Sequence, residues 1–262
     1  MQFRMLLVMS SRNPISYIIG IDEVGRGPLA GPVVVCAVAV PRGLRPASIA
    51  KHIPLRPRPS ADGSGSCTKP LTRGLVLRDS KKLSASQRNT WATAIKADPR
   101  IHHAVAAVTP RVIDRINVTQ AANRAATRAL EKLLTALPAS ARIDVFLDGG
   151  LFVKHNLKFE ILNLKNNTKR NYSARFYNPV SGAYTDLNIS TIIKGDETIP
   201  AISFASIIAK EHRDALMRRA HKKYPVYGFD RHAGYGTKKH IAAIRKNGRT
   251  PLHRNSFLKK IA

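Results

Sequence analysis

The feature that most limits what this chain can fold into is an eight-residue apolar run, VVVCAVAV, at residues 33–40. A short run rich in β-branched side chains is typical of a strand buried on both faces, and it is far below the ~18 residues of a transmembrane helix. A second apolar segment, YIIGI at 17–21, precedes it, and three glycines and two prolines lie in the intervening stretch. This pattern predicts two neighbouring strands joined by a tight turn.

The charge balance indicates what the folded protein binds. The 262 residues include 44 Lys and Arg against 16 Asp and Glu, a net charge of +28 at pH 7. Such a balance excludes an acidic interaction protein and favours a polyanionic partner, because each cation that meets a phosphate releases condensed counterions. Binding to an anionic membrane surface is the alternative. A hydrophobic fraction of 44% is enough for one large domain, or one domain with a small appendage.

The remaining secondary structure follows from periodicity and composition. Apolar residues at helical spacing predict helices over 111–137, 203–224 and 237–247, the last with Thr237 as N-cap and Gly248 beyond its end. A short apolar segment at 143–147 predicts a strand that ends at Asp148.

Two further segments and the two cysteines have distinctive sequence surroundings. Residues 41–75, rich in Pro, Gly and Ser, are expected to form a flexible surface insertion, and 151–190 a small hairpin. Cys36 lies in the apolar run and Cys67 in a polar loop, so we expect no disulfide and a reducing, cytoplasmic location.

Four acidic residues stand out among the few in this basic chain. Asp22 and Asp148 each directly follow an apolar strand, where an isolated carboxylate would be costly to bury. Glu23 adjoins the first of them, and Asp196 follows a glycine. Gathered together, four oxygen ligands would suit Mg²⁺ or Mn²⁺ rather than zinc, and a paired-metal site can hydrolyse a phosphodiester. Strand-end aspartates that merely cap turns or helices are the alternative; the basic surface favours a nuclease.

Ordered blocks of sequence add a resemblance to this argument. The chain resembles the type 2 ribonucleases H, the ribonuclease HII family, through GIDEVGRGPLAGPV (20–33), DSKKLS (79–84), IDRINVTQA (113–121), FLDG (146–149), KGD (194–196), ISFASIIAKEHRD (202–214), YPVYGFDRHAGYGT (224–237) and PLHRNSF (251–257). These blocks occur in the family's order and span nearly the whole chain.

The resemblance implies a fold and a domain organisation. The fold would be an α/β, ribonuclease H-like mixed sheet flanked by helices, with a small helical C-terminal segment. Residues 1–16 would be an N-terminal extension, 17–215 the catalytic domain with insertions near 41–75 and 151–190, and 216–262 the helical substrate-binding segment.

The resemblance also implies an activity. The enzyme would cut the RNA strand of RNA–DNA hybrids, and duplex DNA on the 5′ side of a single embedded ribonucleotide, by two-metal-ion hydrolysis. It would leave 3′-hydroxyl and 5′-phosphate ends. Its cofactors would be Mg²⁺ or Mn²⁺, its role ribonucleotide removal and primer processing in DNA replication and repair, and its state a monomer without membrane attachment.

Site residues follow from the matched motifs. The family's four metal-binding acids correspond to Asp22, Glu23, Asp148 and Asp196. The tripeptide that recognises the 2′-hydroxyl corresponds to Gly25, Arg26 and Gly27, the tyrosine that stacks on the next deoxyribose to Tyr235, and a phosphate-contacting stretch to Ser80, Lys81 and Lys82. A core tyrosine, and a helix N-cap followed by solvated lysines, are the structural alternatives for the last two. His253 and Arg254 are interpreted as contacts to the nucleic-acid backbone.

Two rival functions stay open at this point. The related ribonuclease HIII branch adds an N-terminal substrate-binding domain and uses a single ribonucleotide poorly, and only 16 residues precede the first strand here. A non-catalytic, basic nucleic-acid-binding protein is the rival from another class. It predicts salt-sensitive binding without cleavage, and acids at all four positions weigh against it.

Overall fold

The computed structural model describes residues 15–51, 77, 82–154, 156–164 and 171–259. Within these residues the strands form one mixed sheet of seven strands in the order β3-β2-β1-β4-β7-β6-β5. Their bounds are β1 Ser16–Val24, β2 Val33–Pro41, β3 His102–Val108, β4 Arg142–Asp148, β5 Phe159–Leu164, β6 Asn171–Asn178 and β7 Ala183–Ile192.

Helices follow or separate these strands along the chain. Their bounds are α1 Pro46–Ala50, α2 Ala85–Ala97, α3 Pro110–Ile116, α4 Val118–Leu134, α5 Gly195–Thr198, α6 Pro200–Lys223, α7 Phe229–His232, α8 Lys238–Asn247 and α9 Asn255–Leu258, with a 3₁₀ turn at Pro225–Tyr227. No helix within the described ranges is both long and apolar enough to span a membrane.

The direction of the central strands gathers their carboxyl ends. β1 pairs in parallel with β4, where Ile21 lies opposite Leu147, and β4 pairs in parallel with β7, where Asp148 lies opposite Ile192. The flanking pairs β1–β2, β2–β3, β5–β6 and β6–β7 are antiparallel. Because parallel strands end at the same edge, the residues that close β1, β4 and β7 share one side of the sheet.

Helices cover both faces of the sheet. Alternate residues of β2 enter opposite cores: Val33 and Val35 pack in the core that contains α4, and Val34 and Val38 in the core that contains α2 and α6. This double burial explains the uninterrupted apolar run and confirms the predicted central strand. α6 approaches β1 so closely that a Cβ on Gly20 would lie 2.2 Å from the Ala201 carbonyl carbon.

The structure confirms several predicted elements and corrects others. The strands predicted around 17–21, 33–40 and 143–147 are present, as are the helices near 203–224 and 237–247. The helix predicted over 111–137 is instead two, because Asn117 adopts a positive φ of 63° and its side chain accepts a hydrogen bond from Gln120 N at the start of α4.

The two segments expected to be insertions also differ from the prediction. Residues 46–50 form α1, and most of 41–75, including Cys67, lies outside the described residues; Cys36 is a buried free thiol. Residues 151–190 contain three strands rather than a small hairpin, because alternate burial of Thr185, Leu187 and Ile189 allows β7 to extend the central sheet.

A third apolar cluster joins the C-terminal helices to the loop after β1. It consists of Leu29, Ala30, Met217, Tyr227, Phe229, Ile244 and Leu258. α6 runs without a break through the boundary predicted between 215 and 216, and that division of the chain stays a prediction.

Candidate active site

Three elements converge where the central strands end. Asp148 is the last residue of β4, and its Oδ1 accepts a hydrogen bond from Gly195 N at 2.9 Å. That bond ties the end of β4 to the start of α5, which carries Asp196. Ser203 Oγ, in α6, donates to the Asp196 carbonyl at 2.6 Å and fixes α5 from the other side. Asp22 lies inside β1 rather than directly after it, because the strand continues to residue 24.

The acids at this edge influence one another's ionisation. Burial, and then the nearby charge of Asp148, raises the pKa of Asp22 to about 7. Burial, and then the charge of Asp22, raises the pKa of Glu23 to about 8, while Arg26 opposes that rise. Asp196 also contributes to the shift of Asp22. Two buried carboxyl groups that resist ionisation side by side form a site that a cation would stabilise.

The side chains at this site are suitable ligands for a divalent ion. Carboxylate oxygens are the ligands that Mg²⁺ and Mn²⁺ prefer. Glu23 Oε2 is buried and, in the described part of the chain, makes no hydrogen bond, so a buried acceptor is left unsatisfied. Among those same residues, no three acidic, histidine or cysteine side chains already converge on one ion position. The chemistry of the donors therefore fits a divalent ion, and the ligand role of the four acids stays a prediction.

The glycine-containing loop after β1 lies beside these acids. Arg26 Nε lies 2.7 Å from Glu23 Oε1, and the guanidinium group extends over Gly150, just beyond the end of β4. Tyr235 is 46% exposed, and its Cε1 lies 3.7 Å from the position that a Cβ on Gly27 would take. The tripeptide 25–27 and Tyr235 are thus neighbours on one surface, although Gly27 and Tyr235 are 208 positions apart in the sequence.

The predicted phosphate-contacting stretch is described only in part. Lys82 Nζ pairs with Glu197 Oε1 at 3.0 Å, next to Asp196 on α5, so it lies at the rim of the acidic site. Ser80 and Lys81 fall outside the described residues. The placement of Lys82 is compatible with a substrate contact, and the role of the stretch stays a prediction.

Two residues predicted from the sequence to contact the nucleic-acid backbone, His253 and Arg254, are buried. They are only 2% and 0% exposed, respectively. Their burial arises because the segment 251–254 packs under the loop that follows β1, with Arg254 N bonded to Leu29 O at 2.8 Å. Sequence analysis also missed Ser206, which hydrogen-bonds Asp22, and the buried Arg213. Nothing in the sequence distinguishes Arg213 from the other basic residues of α6.

The sheet order, the flanking helices and the acidic edge together define a ribonuclease H-like α/β enzyme. A family model described as "Ribonuclease HII" matches residues 19–49 and 66–260. A ribonuclease HII of Chlorobium chlorochromatii is 40% identical over 243 residues, covering 92% of this chain and 89% of the relative. The chain therefore belongs to the ribonuclease HII family, and it is a ribonuclease H, an endonuclease that acts on RNA–DNA hybrids.

Solved structures support the fold at lower sequence identity. The ribonuclease H2 of Pyrococcus horikoshii matches with a TM-score of 0.57 at 20% identity, covering 94% of this chain and 96% of its own. A Bst-RNase HIII in complex with Mn²⁺ has the same TM-score and identity, covering 95% of this chain and 70% of its own. These matches confirm the predicted fold class, a mixed sheet with flanking helices.

Proposed function

We propose that this enzyme cuts duplex DNA on the 5′ side of a single embedded ribonucleotide, as well as the RNA strand of hybrids, by two-metal-ion hydrolysis. The products would carry 3′-hydroxyl and 5′-phosphate ends, and the role would be ribonucleotide removal and primer processing. The observation that carries this proposal is the juxtaposition of the strand-end acids with the tripeptide 25–27 and Tyr235.

The four acids would hold the divalent ions. Asp22, Glu23, Asp148 and Asp196 supply hard oxygen donors, and the charges of Asp148 and Asp196, which raise the pKa of Asp22, support their proximity to it. Bound Mg²⁺ or Mn²⁺ would activate the attacking water and stabilise the leaving oxygen. Arg26 neutralises part of the charge of Glu23 and keeps that side chain oriented towards the site.

The neighbouring loop and tyrosine would select the sugar. The 2′-hydroxyl is the group by which a protein distinguishes RNA from DNA, and the absence of side chains on Gly25 and Gly27 lets main-chain groups of the tripeptide approach it. Tyr235 lies beside that loop with its ring partly exposed, which suits stacking on the deoxyribose that follows the ribonucleotide. A substrate would therefore be selected at a ribonucleotide–deoxyribonucleotide step.

The charge of the protein supports a duplex partner, and the composition of the proposed site supports a single copy of the chain. With a net charge of +28, the enzyme would bind nucleic acid mainly through phosphates, so affinity would fall steeply with salt. Lys82, at the rim of the acidic site, is one candidate phosphate contact. The acids, the loop and the tyrosine that make up the proposed site all come from one chain, which supports action as a monomer.

Two aspartates on one strand provide the decisive test. Asp148→Asn removes a proposed ligand, whereas Asp144→Asn changes a residue four positions earlier whose carboxylate instead pairs with Arg42 and Asn188. We expect the first variant to lose Mg²⁺- or Mn²⁺-dependent cleavage while still binding duplexes, and the second to keep cleavage. Full cleavage by Asp148→Asn would show that this carboxylate is not a ligand.

A substrate comparison tests the specificity. The wild-type enzyme is given a duplex with one ribonucleotide and a long RNA–DNA hybrid, each in Mg²⁺ and in Mn²⁺. We expect cleavage of both, with the cut on the 5′ side of the single ribonucleotide. Cleavage of the hybrid alone would instead indicate the specificity expected of the ribonuclease HIII branch.

A further inference from the structure

Two buried arginines hold the loop that contains the tripeptide 25–27. Both guanidinium groups belong to residues with no exposed surface, Arg213 in α6 and Arg254 just before α9. A buried charge is costly unless it is well hydrogen-bonded. The hydrogen-bond partners of these two guanidinium groups therefore indicate which part of the structure they stabilise.

Arg254 donates to three main-chain carbonyls of that loop. Its Nη1 lies 2.8 Å from Arg26 O, its Nη2 2.6 Å from Gly25 O and 2.8 Å from Gly31 O, and its Nε 3.0 Å from Gly31 O. In a trans peptide the N–H points opposite to the C=O. The amide N–H groups of Arg26 and Gly27 therefore point away from Arg254.

Arg213 reinforces the same arrangement. Its Nε donates to Pro32 O at 3.1 Å and its Nη2 to Ala30 O at 3.2 Å. A Cβ on Gly25, which has a φ of 93°, would lie 2.3 Å from Arg213 Nε. The loop is thus held by a planar group against which only glycine fits.

The residue next to Arg254 holds Tyr235 through a chain of hydrogen bonds. Thr250 N donates to His253 Nδ1 at 2.8 Å, so the proton of the neutral His253 ring is on Nε2. That nitrogen lies 3.2 Å from His240 Nε2, which must then accept. The remaining proton of His240 is on Nδ1, 2.8 Å from Tyr235 O, to which it donates.

Main-chain hydrogen bonds connect the loop after β1 with the segment 251–254 and with the turn that carries Tyr235. Gly31 N donates to Leu252 O at 2.8 Å, and Leu29 N donates to Gly234 O at 2.8 Å. The loop after β1 is therefore bonded to the segment 251–254 and, separately, to the turn that carries Tyr235. Displacement of the segment would move the loop relative to that turn.

We propose that His253 and Arg254 are a positioning pair that sets the tripeptide 25–27 at a fixed distance from Tyr235. Arg254 orients the amides that would meet the 2′-hydroxyl, and His253, through His240, holds the tyrosine that would meet the following deoxyribose. Neither side chain touches substrate. This inference rests on the proposed function, and it assigns selectivity for the ribonucleotide–deoxyribonucleotide step to two buried residues.

A matched pair of variants at His240 tests the link to Tyr235. In His240→Asn the amide nitrogen takes the place of Nδ1 and keeps the bond to Tyr235 O, but the bond from His253 is lost. In His240→Gln the amide oxygen takes the place of Nε2 and keeps that bond, but the one to Tyr235 is lost. Each variant loses one hydrogen bond, so the stability costs are comparable.

The two variants are compared on two substrates. For His240→Gln we expect kcat/KM to fall about tenfold on the one-ribonucleotide duplex and less than about threefold on the long hybrid, whose cleaved strand contains no deoxyribose. For His240→Asn, which breaks the bond from His253, we expect a smaller but still selective loss, about three- to fivefold on the one-ribonucleotide duplex and less than about twofold on the long hybrid. Parallel losses on the two substrates, or unchanged cleavage of the one-ribonucleotide duplex by His240→Asn, would overturn the role of this chain of hydrogen bonds.

Arg254→Lys tests the role of Arg254 through a binding measurement. Thermal unfolding checks that the variant is folded. Lysine keeps the charge but cannot match three carbonyls with a planar fork. In EDTA, where no cutting occurs, wild type should bind the one-ribonucleotide duplex more tightly than the all-DNA duplex of the same sequence. We expect Arg254→Lys to lower this preference about tenfold.

The control is a variant of Arg213, the other buried arginine that bonds to this loop. Arg213→Lys loosens Pro32 and Ala30 rather than residues 25 and 26, so the preference should fall less than in Arg254→Lys. An unchanged preference in a folded Arg254→Lys would overturn the inference. If wild type cuts neither substrate, the proposed function fails, whereas the ribonucleotide preference in EDTA still decides for or against the positioning pair.

Discussion

The two acids in β1 should make the metal-free protein less stable as the pH rises. The pKa of Asp22 rises from its ordinary 3.8 to about 7, first because the carboxyl is buried and then because other acids lie near it. Below pH 3.8 both the folded and the unfolded chain hold this proton. Between 3.8 and 7 the unfolded chain releases it while the folded chain retains it, so unfolding becomes easier.

The variant Asp22→Asn removes this penalty. A pKa rise of this size corresponds to about 4 kcal/mol once the pH exceeds 7. Asparagine retains an oxygen that can accept the hydrogen bond from Glu23 N, which measures 2.7 Å in the wild type. The variant should therefore be more stable than wild type at pH 8, by an amount of that order, and the difference should shrink towards pH 4.

Urea denaturation in EDTA at pH 5 and pH 8 measures this effect. Asp186→Asn, which alters an exposed pair with Arg175, is the control and should change stability by less than about 1 kcal/mol at both pH values. Added Mn²⁺ should stabilise wild type at pH 8 and stabilise Asp22→Asn much less. If Asp22→Asn is less stable than wild type at pH 8 without metal, the ionised Asp22 side chain does not destabilise the folded protein.

Three further predictions concern stability. Burial lowers the pKa of His253 to about 4, so stability should fall by up to about 3 kcal/mol as the pH drops from 6.5 to 4, and denaturation of His253→Asn should show a flatter pH profile. Ser84 accepts the hydrogen bond from the third residue of α2, so Ser84→Ala should lower the free energy of unfolding by about 1 kcal/mol, and Ser86→Ala, within the first turn, by much less. Ala233 has a φ of 48°, so Ala233→Gly should raise the free energy of unfolding by about 0.5–1 kcal/mol; a lower thermal midpoint would contradict this.

Local sequence determined the elements that hold the site. The apolar run at 33–40 could only be a strand covered on both faces, and Thr237 and Gly248 bounded their helix because capping is a property of a few adjacent residues. The acids could likewise be singled out, since a carboxylate at the end of an apolar strand is costly wherever the strand lies. Motif order then pointed to the family.

Only the tertiary structure decided which distant residues meet. The polar alternation of β7 did not reveal that it pairs with β4, yet this pairing brings Gly195 N to Asp148. His253 and Arg254 resemble surface residues in sequence, and their burial depends on packing beneath a loop more than 200 positions earlier. Periodicity and capping act over a few residues, whereas burial and long-range hydrogen bonds depend on how the finished elements pack together.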